Sequence, residues 1–163
     1  MKILHHPDYF GSVIFCDDIR HEIGGKFSFI GVYSGAMQIH GDTPFPCVLP
    51  KLGISASYSQ AIDAVVIPIK FLVYLPGETD NPSIVFDAPA EAVEQAIQQA
   101  LAKEKREKES LDQDEPRLYA QVGINAILSP LKIENSGNLR VRVTREDDLV
   151  RLGSIKIEAA PKK

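Results

Sequence analysis

The chain has 163 residues, of which 44% are apolar and 25% charged, with a formal net charge of −4. Length and apolar content suit one globular domain over residues 1–163 that buries a core without disulfide staples. The acidic balance argues against a broad polyanion-binding surface, so no nucleic-acid partner is expected.

The opening residues Met1 to Asp8 turn polar at once and contain no apolar segment of the kind a secretory leader needs. The longest apolar run, Ala64 to Leu75, is broken by Pro68 and Lys70, so no membrane span is expected. Cys16 and Cys47 are too few for a disulfide framework and are read as buried thiols of a cytoplasmic protein.

The first elements lie in Val13–Tyr33. Two apolar strand-like stretches flank the charged connection Asp17-Asp18-Ile19-Arg20-His21-Glu22, which ends in Gly24-Gly25, the chemistry of a hairpin turn. Period-2 alternation then recurs along the chain. Leu52, Ile54, Ala56 and Tyr58 share one face, as do Ile67, Ile69, Phe71, Val73 and Leu75. Pro68 has no amide hydrogen, so its strand is at an edge or unpaired at that point. The segments Gly41–Pro46 and Leu75–Pro82 are loops by composition.

One helical insertion, 87–115, interrupts the strands. Asp87 is the expected N-cap, followed by Pro89 and Glu91, and Asp112 to Pro116 end the segment. Val93, Ile97, Ala100 and Leu101 form an apolar stripe, which either packs on the chain's own sheet or docks on a partner. Alternation resumes in Leu118–Ala126 and in Leu139, Val141 and Val143 with outward Arg140 and Arg142. The returning strand changes phase between Leu152 and Ile155, which places a β-bulge at Gly153-Ser154. A similar slip falls at Ile30-Gly31.

About eight strands with one inserted helix and no βα alternation predict an all-β fold: an immunoglobulin-like or C2-like antiparallel β-sandwich. The residues richest in ligating groups are Asp17, Asp18, His21 and Glu22. They match no metal-site spacing, and on a strand Asp17 and Asp18 point to opposite faces, so neither a metal nor another cofactor is expected. The nearby His5-His6-Pro7-Asp8 is read as a loosely tied terminus. Arg140, Arg142 and Arg145 are read as solvated charges on an outer strand face, without the interleaved aromatics that stack bases.

Cys16-Asp17-Asp18-Ile19-Arg20, Gly24-Gly25-Lys26 and Ile30-Gly31-Val32-Tyr33-Ser34-Gly35 resemble the motif of a family of small bacterial and phage proteins. That family is a domain of unknown function. Ser129–Glu134 and Gly137–Val143 look similar to it as well, while the charged helix is longer than its pattern. The resemblance implies no catalytic residues and opens a virion location for a phage-encoded chain. The expected function is a non-enzymatic structural or protein-interaction module. It is read as a subunit of a larger assembly such as a phage virion, with Val93, Ile97 and Leu101 as the partner-binding face. The alternatives are a free cytoplasmic binding module, or a metal-dependent enzyme using the Asp17/Asp18/His21/Glu22 end.

Overall fold

The structure is a computed structural model that describes residues 7–42, 44–107 and 117–161. Its strands are β1 (Tyr9–Cys16), β2 (Asp18–Glu22), β3 (Lys26–Ile30), β4 (Ala36–Ile39), β5 (Cys47–Leu49) and β6 (Leu52–Ala61). They continue with β7 (Ile69–Tyr74), β8 (Ile84–Ala88), β9 (Tyr119–Leu128), β10 (Leu131–Ile133), β11 (Gly137–Arg145) and β12 (Asp148–Ala159). One α-helix among the described residues, α1 (Ala90–Glu107), lies between β8 and β9.

Two sheets carry most of the chain, one ordered β1-β6-β9 and one ordered β4-β12-β11-β7-β8. Two further pairs, β2–β3 and β5–β10, stand beside them. Pairing is antiparallel throughout except between β4 and β12, which run parallel in register from Lys156 opposite Ala36. The expected all-antiparallel arrangement of about eight strands is corrected on both counts. β4, β5 and β10 are three or four residues long, too short to display a period.

The alternating residues are the core. Leu52, Ile54, Ala56 and Tyr58 are buried on β6, as are Ile69, Phe71 and Val73 on β7 and Leu139, Val141 and Val143 on β11. Side chains from both large sheets join one apolar cluster. Each such aliphatic or aromatic group contributes about 1.5–3 kcal/mol by leaving water. Pro68 immediately precedes β7, so its missing donor falls outside the ladder and the strand can lie between β11 and β8.

The bulge falls one residue before its expected place. Val141 pairs with Gly153 and Arg142 with Arg151, so Leu152 is the extra residue. Leu152 turns inward and is buried, which restores the phase for Ile155 and Ile157. At Gly31, φ is +66° where β3 has just ended, so the second phase slip is a strand terminus.

Asp87 does not cap the helix. It lies in β8 opposite Lys70, and its carboxylate meets the Lys70 ammonium at 3.4 Å. The helix instead starts after Pro89, whose carbonyl accepts from the amides of Ala92 and Val93. The helix leads from β8 to β9, edge strands of the two large sheets, and packs along β9. Residues 108–116, including the expected helix end at Asp112–Pro116, lie outside the described residues.

Candidate functional site

The apolar stripe of α1 faces its own sheets. Val93 is wholly buried in the core, Ala96 is buried beside it, and Ile97 packs against the same cluster. Leu101 is half-buried. Val93 is therefore removed from the expected partner-binding face: a helix packed along a sheet edge has to turn its apolar side inward.

The four ligating residues near the first turn are held apart. Asp17 is the bend between β1 and β2, and its amide donates to the carbonyls of Ile30 (2.9 Å) and Gly31 (3.3 Å). Its carboxylate accepts from the Tyr33 hydroxyl and lies where a side chain on Gly31 would have to be. Burial, followed by this carboxylate, pushes the Tyr33 phenol up to about 12. Asp18 turns the other way to Lys51 at 2.8 Å and Arg20 at 3.4 Å, and the Lys51 hydrogen bond holds its carboxyl below the usual range. His21 stacks edge-on against Phe27, with ring centroids 4.6 Å apart, and Glu22 is exposed. Among the described residues, no three histidine, cysteine or carboxylate groups are placed to hold a metal ion. His5 and His6 lie outside the described residues.

Cys16 is buried and donates weakly to the Asp18 carbonyl (3.3 Å), while Cys47 is half-buried on β5. Both thiols are free, and burial raises both above the ordinary thiol range, so neither is an activated nucleophile.

The β2–β3 hairpin is the first surface feature with an unsatisfied chemistry. Its register places Ile19 opposite Phe29 and His21 opposite Phe27, so Ile19, His21, Phe27 and Phe29 share one face. At the root Ile19 and Phe29 are half-buried, and Ile19 packs over Gly53, where a β-carbon would come within 3.0 Å of it. Further out that face leaves the body. Phe27 is 40% exposed and Ile23, at the turn, is 100% exposed. Gly24 and Gly25 take φ of +83° and +74°, the left-handed values that let this turn close tightly.

A second feature lies on the outer face of the five-stranded sheet. Arg140 and Arg142 place their guanidinium carbons 5.4 and 5.0 Å from the centroid of one ring, that of Tyr74. Arg145 does not share that face: it has the parity of inward Val143 and turns toward the three-stranded sheet, where it stacks on Tyr9 of β1 at 4.9 Å and donates to the Ala64 carbonyl at 3.3 Å. The arginines are half-buried by these rings, which corrects the reading of plain solvated charges. They also explain why Tyr74, on the outward side of β7, is only 2% exposed. Arg140, Arg142 and Arg151 line a shallow cavity of about 290 Å³ whose floor includes Gly153 and Ser154. A larger, polar groove of about 590 Å³ runs between α1 and β9, lined by Ser55, Ser57, Gln99, Gln121 and Asn125 among others.

No helix among the described residues is long and apolar enough to cross a membrane. No protein-family model, no curated protein and no solved structure matches the chain.

Proposed function

We propose that this chain is a non-enzymatic structural module that assembles with neighbouring copies, and that the β2–β3 hairpin is its docking arm. The observation that carries the reading is the apolar hairpin face that begins on Gly53 and runs off the body to a fully exposed Ile23. Large apolar side chains displayed together on a projecting element mark interaction sites. Burying Ile23 and Phe27 against a neighbour stabilises an interface by about 1.5–3 kcal/mol for each residue.

The same chain offers open sheet edges that can receive such an arm, including β8 with Val85 exposed. An arm from one subunit meeting a different surface of the next is a heterologous contact, and such contacts build rings and tubes. That geometry suits a subunit of a larger assembly such as a phage particle, in keeping with the motif resemblance in Cys16–Gly35. On this reading the two large sheets form an immunoglobulin-like or C2-like β-sandwich. The free binding module is the second state of the same protein before assembly.

The test is the double variant Ile23→Asp with Phe27→Ser. Both side chains lie outside the core, so the melting temperature should stay within a few degrees of the parent. Association should be lost by light scattering. Unchanged association in the variant contradicts the assignment of the arm.

A further inference from the structure

We propose that Arg140, Arg142 and Arg151 form a binding site for a phosphoryl group on the outer face of the five-stranded sheet. The inference stands apart from the docking arm, which is built from other strands.

The three arginines are arranged against their own electrostatics. Arg142 and Arg151 are direct cross-strand partners, and like charges in that relation destabilise a sheet. Arg140 and Arg142 are two residues apart on one strand, share a face, and both lie over the Tyr74 ring. The acids of this face are already engaged. Asp87 pairs with Lys70 at 3.4 Å and Glu158 with Lys156 at 2.5 Å. Among the described residues, no carboxylate lies within ion-pair distance of the three guanidinium groups. This concentration of positive charge sits on a protein of net charge −4.

Two features hold the group in place for a ligand. The Tyr74 ring restricts both guanidinium planes, and Arg140 is further fixed by donating to the Glu78 carbonyl. Its Nε is buried and has no hydrogen-bond partner. The bulge at Leu152 interrupts the ladder beside the cavity, and Ser154, directly across from Arg140, contributes a hydroxyl to its lining.

The chemistry of the occupant follows from charge and shape. Three forked guanidiniums supply more donors than one carboxylate can accept, whereas a phosphoryl dianion presents three strong acceptor oxygens. The cavity, about 290 Å³, is at the small end of ligand sites and suits a single group. Tyr74 is covered by the arginines, leaving no open ring here on which a nucleic-acid base can stack.

The experiment is a titration of the full chain with sodium phosphate at fixed ionic strength, followed by NMR. Saturable shifts with one-to-one stoichiometry at Arg140, Arg142, Arg151 and Ser154 are expected. The double variant Arg142→Gln with Arg151→Gln should bind at least tenfold more weakly, while melting at or above the parent temperature in phosphate-free buffer because a like-charge pair has been removed. A phosphoserine peptide that binds more tightly than inorganic phosphate places the group on a partner protein; equal affinity places it on a small molecule. Shifts no larger than those from sodium chloride overturn the proposal. So does displacement of phosphate by an oligoglutamate peptide, or tighter binding of a single-stranded oligonucleotide than of phosphate.

Discussion

A β-carbon on Gly11 would lie 2.4 Å from Leu152 Cδ2 and 2.6 Å from the Ser57 carbonyl oxygen, so β1 passes over the bulge of β12 with no room for a side chain. Gly153 meets Val13 in the same joint, at 2.6 Å from Val13 Cγ1. The two large sheets therefore come into tight contact where the ladder of β12 is interrupted.

The two glycines should respond differently to alanine. At Gly11 one obstacle is backbone, which cannot swing aside, so Gly11→Ala should destabilise by about 1–3 kcal/mol. At Gly153 the obstacle is a side-chain methyl that can rotate, so Gly153→Ala should have the smaller effect. Urea denaturation of both variants checks the order.

The buried position of Val93 separates two roles for the helix stripe. Val93→Ser removes apolar volume from the core and buries a hydroxyl, with an expected loss of about 2–4 kcal/mol. Leu101→Ser, at the half-buried end, should cost below about 1 kcal/mol. A triple Ser variant at Val93, Ile97 and Leu101 should lower the melting temperature sharply in thermal denaturation, because the stripe holds the module together.

Tyr33 gives the fold an alkaline limit. Its phenol is harder to ionise in the folded protein, at about 12, than at the ordinary value of 10.0. The stability it contributes is full below pH 10 and is lost as pH rises through 10 to 12. Ultraviolet titration should show one late-ionising phenol fewer in Tyr33→Phe, with that of buried Tyr58 remaining, and the variant's stability should fall less across that interval.

Asp18 sets a complementary acid effect. Lys51, with Arg20 behind it, holds its carboxyl below the ordinary 3.8. The favourable pairing is present above that value and is lost as pH falls through the lowered folded-state value. Carbon-detected NMR titration should show the Asp18 carboxyl moving upward in Lys51→Ala.

Much of the strand framework was legible because one buried face imposes period two. Ile69, Phe71 and Val73 and their counterparts on β6 and β11 point inward as alternation requires. The bulge was legible for the same reason, since a phase change needs an extra residue. What escaped was non-local. The parallel β4–β12 pair depends on a backbone register between distant segments, and the capping chemistry at Asp87 was outcompeted by its place in β8 opposite Lys70. Tyr74 lies on β7 and its arginines on β11, so nothing near Arg140 in sequence announces the stacked ring. The turn of the hairpin was visible from Gly24-Gly25, but its first arm was expected in apolar Val13–Cys16, whereas that segment pairs with β6 and the charged Asp18–Glu22 forms the arm. Its exposed apolar face was not visible. The charged residues Asp18, Arg20 and Glu22 alternate with Ile19 and His21, and only the pairing with β3 gathers Phe27 and Phe29 beside them.

The most direct measurement of assembly is sedimentation velocity on the purified chain from about 1 to 100 µM, where interfaces of modest strength become occupied. The expected result is a mass that rises with concentration to multiples of 18.0 kDa, and that stays at 18.0 kDa when Ile23 and Phe27 are replaced. A parent protein that remains at 18.0 kDa throughout contradicts assembly through the hairpin arm.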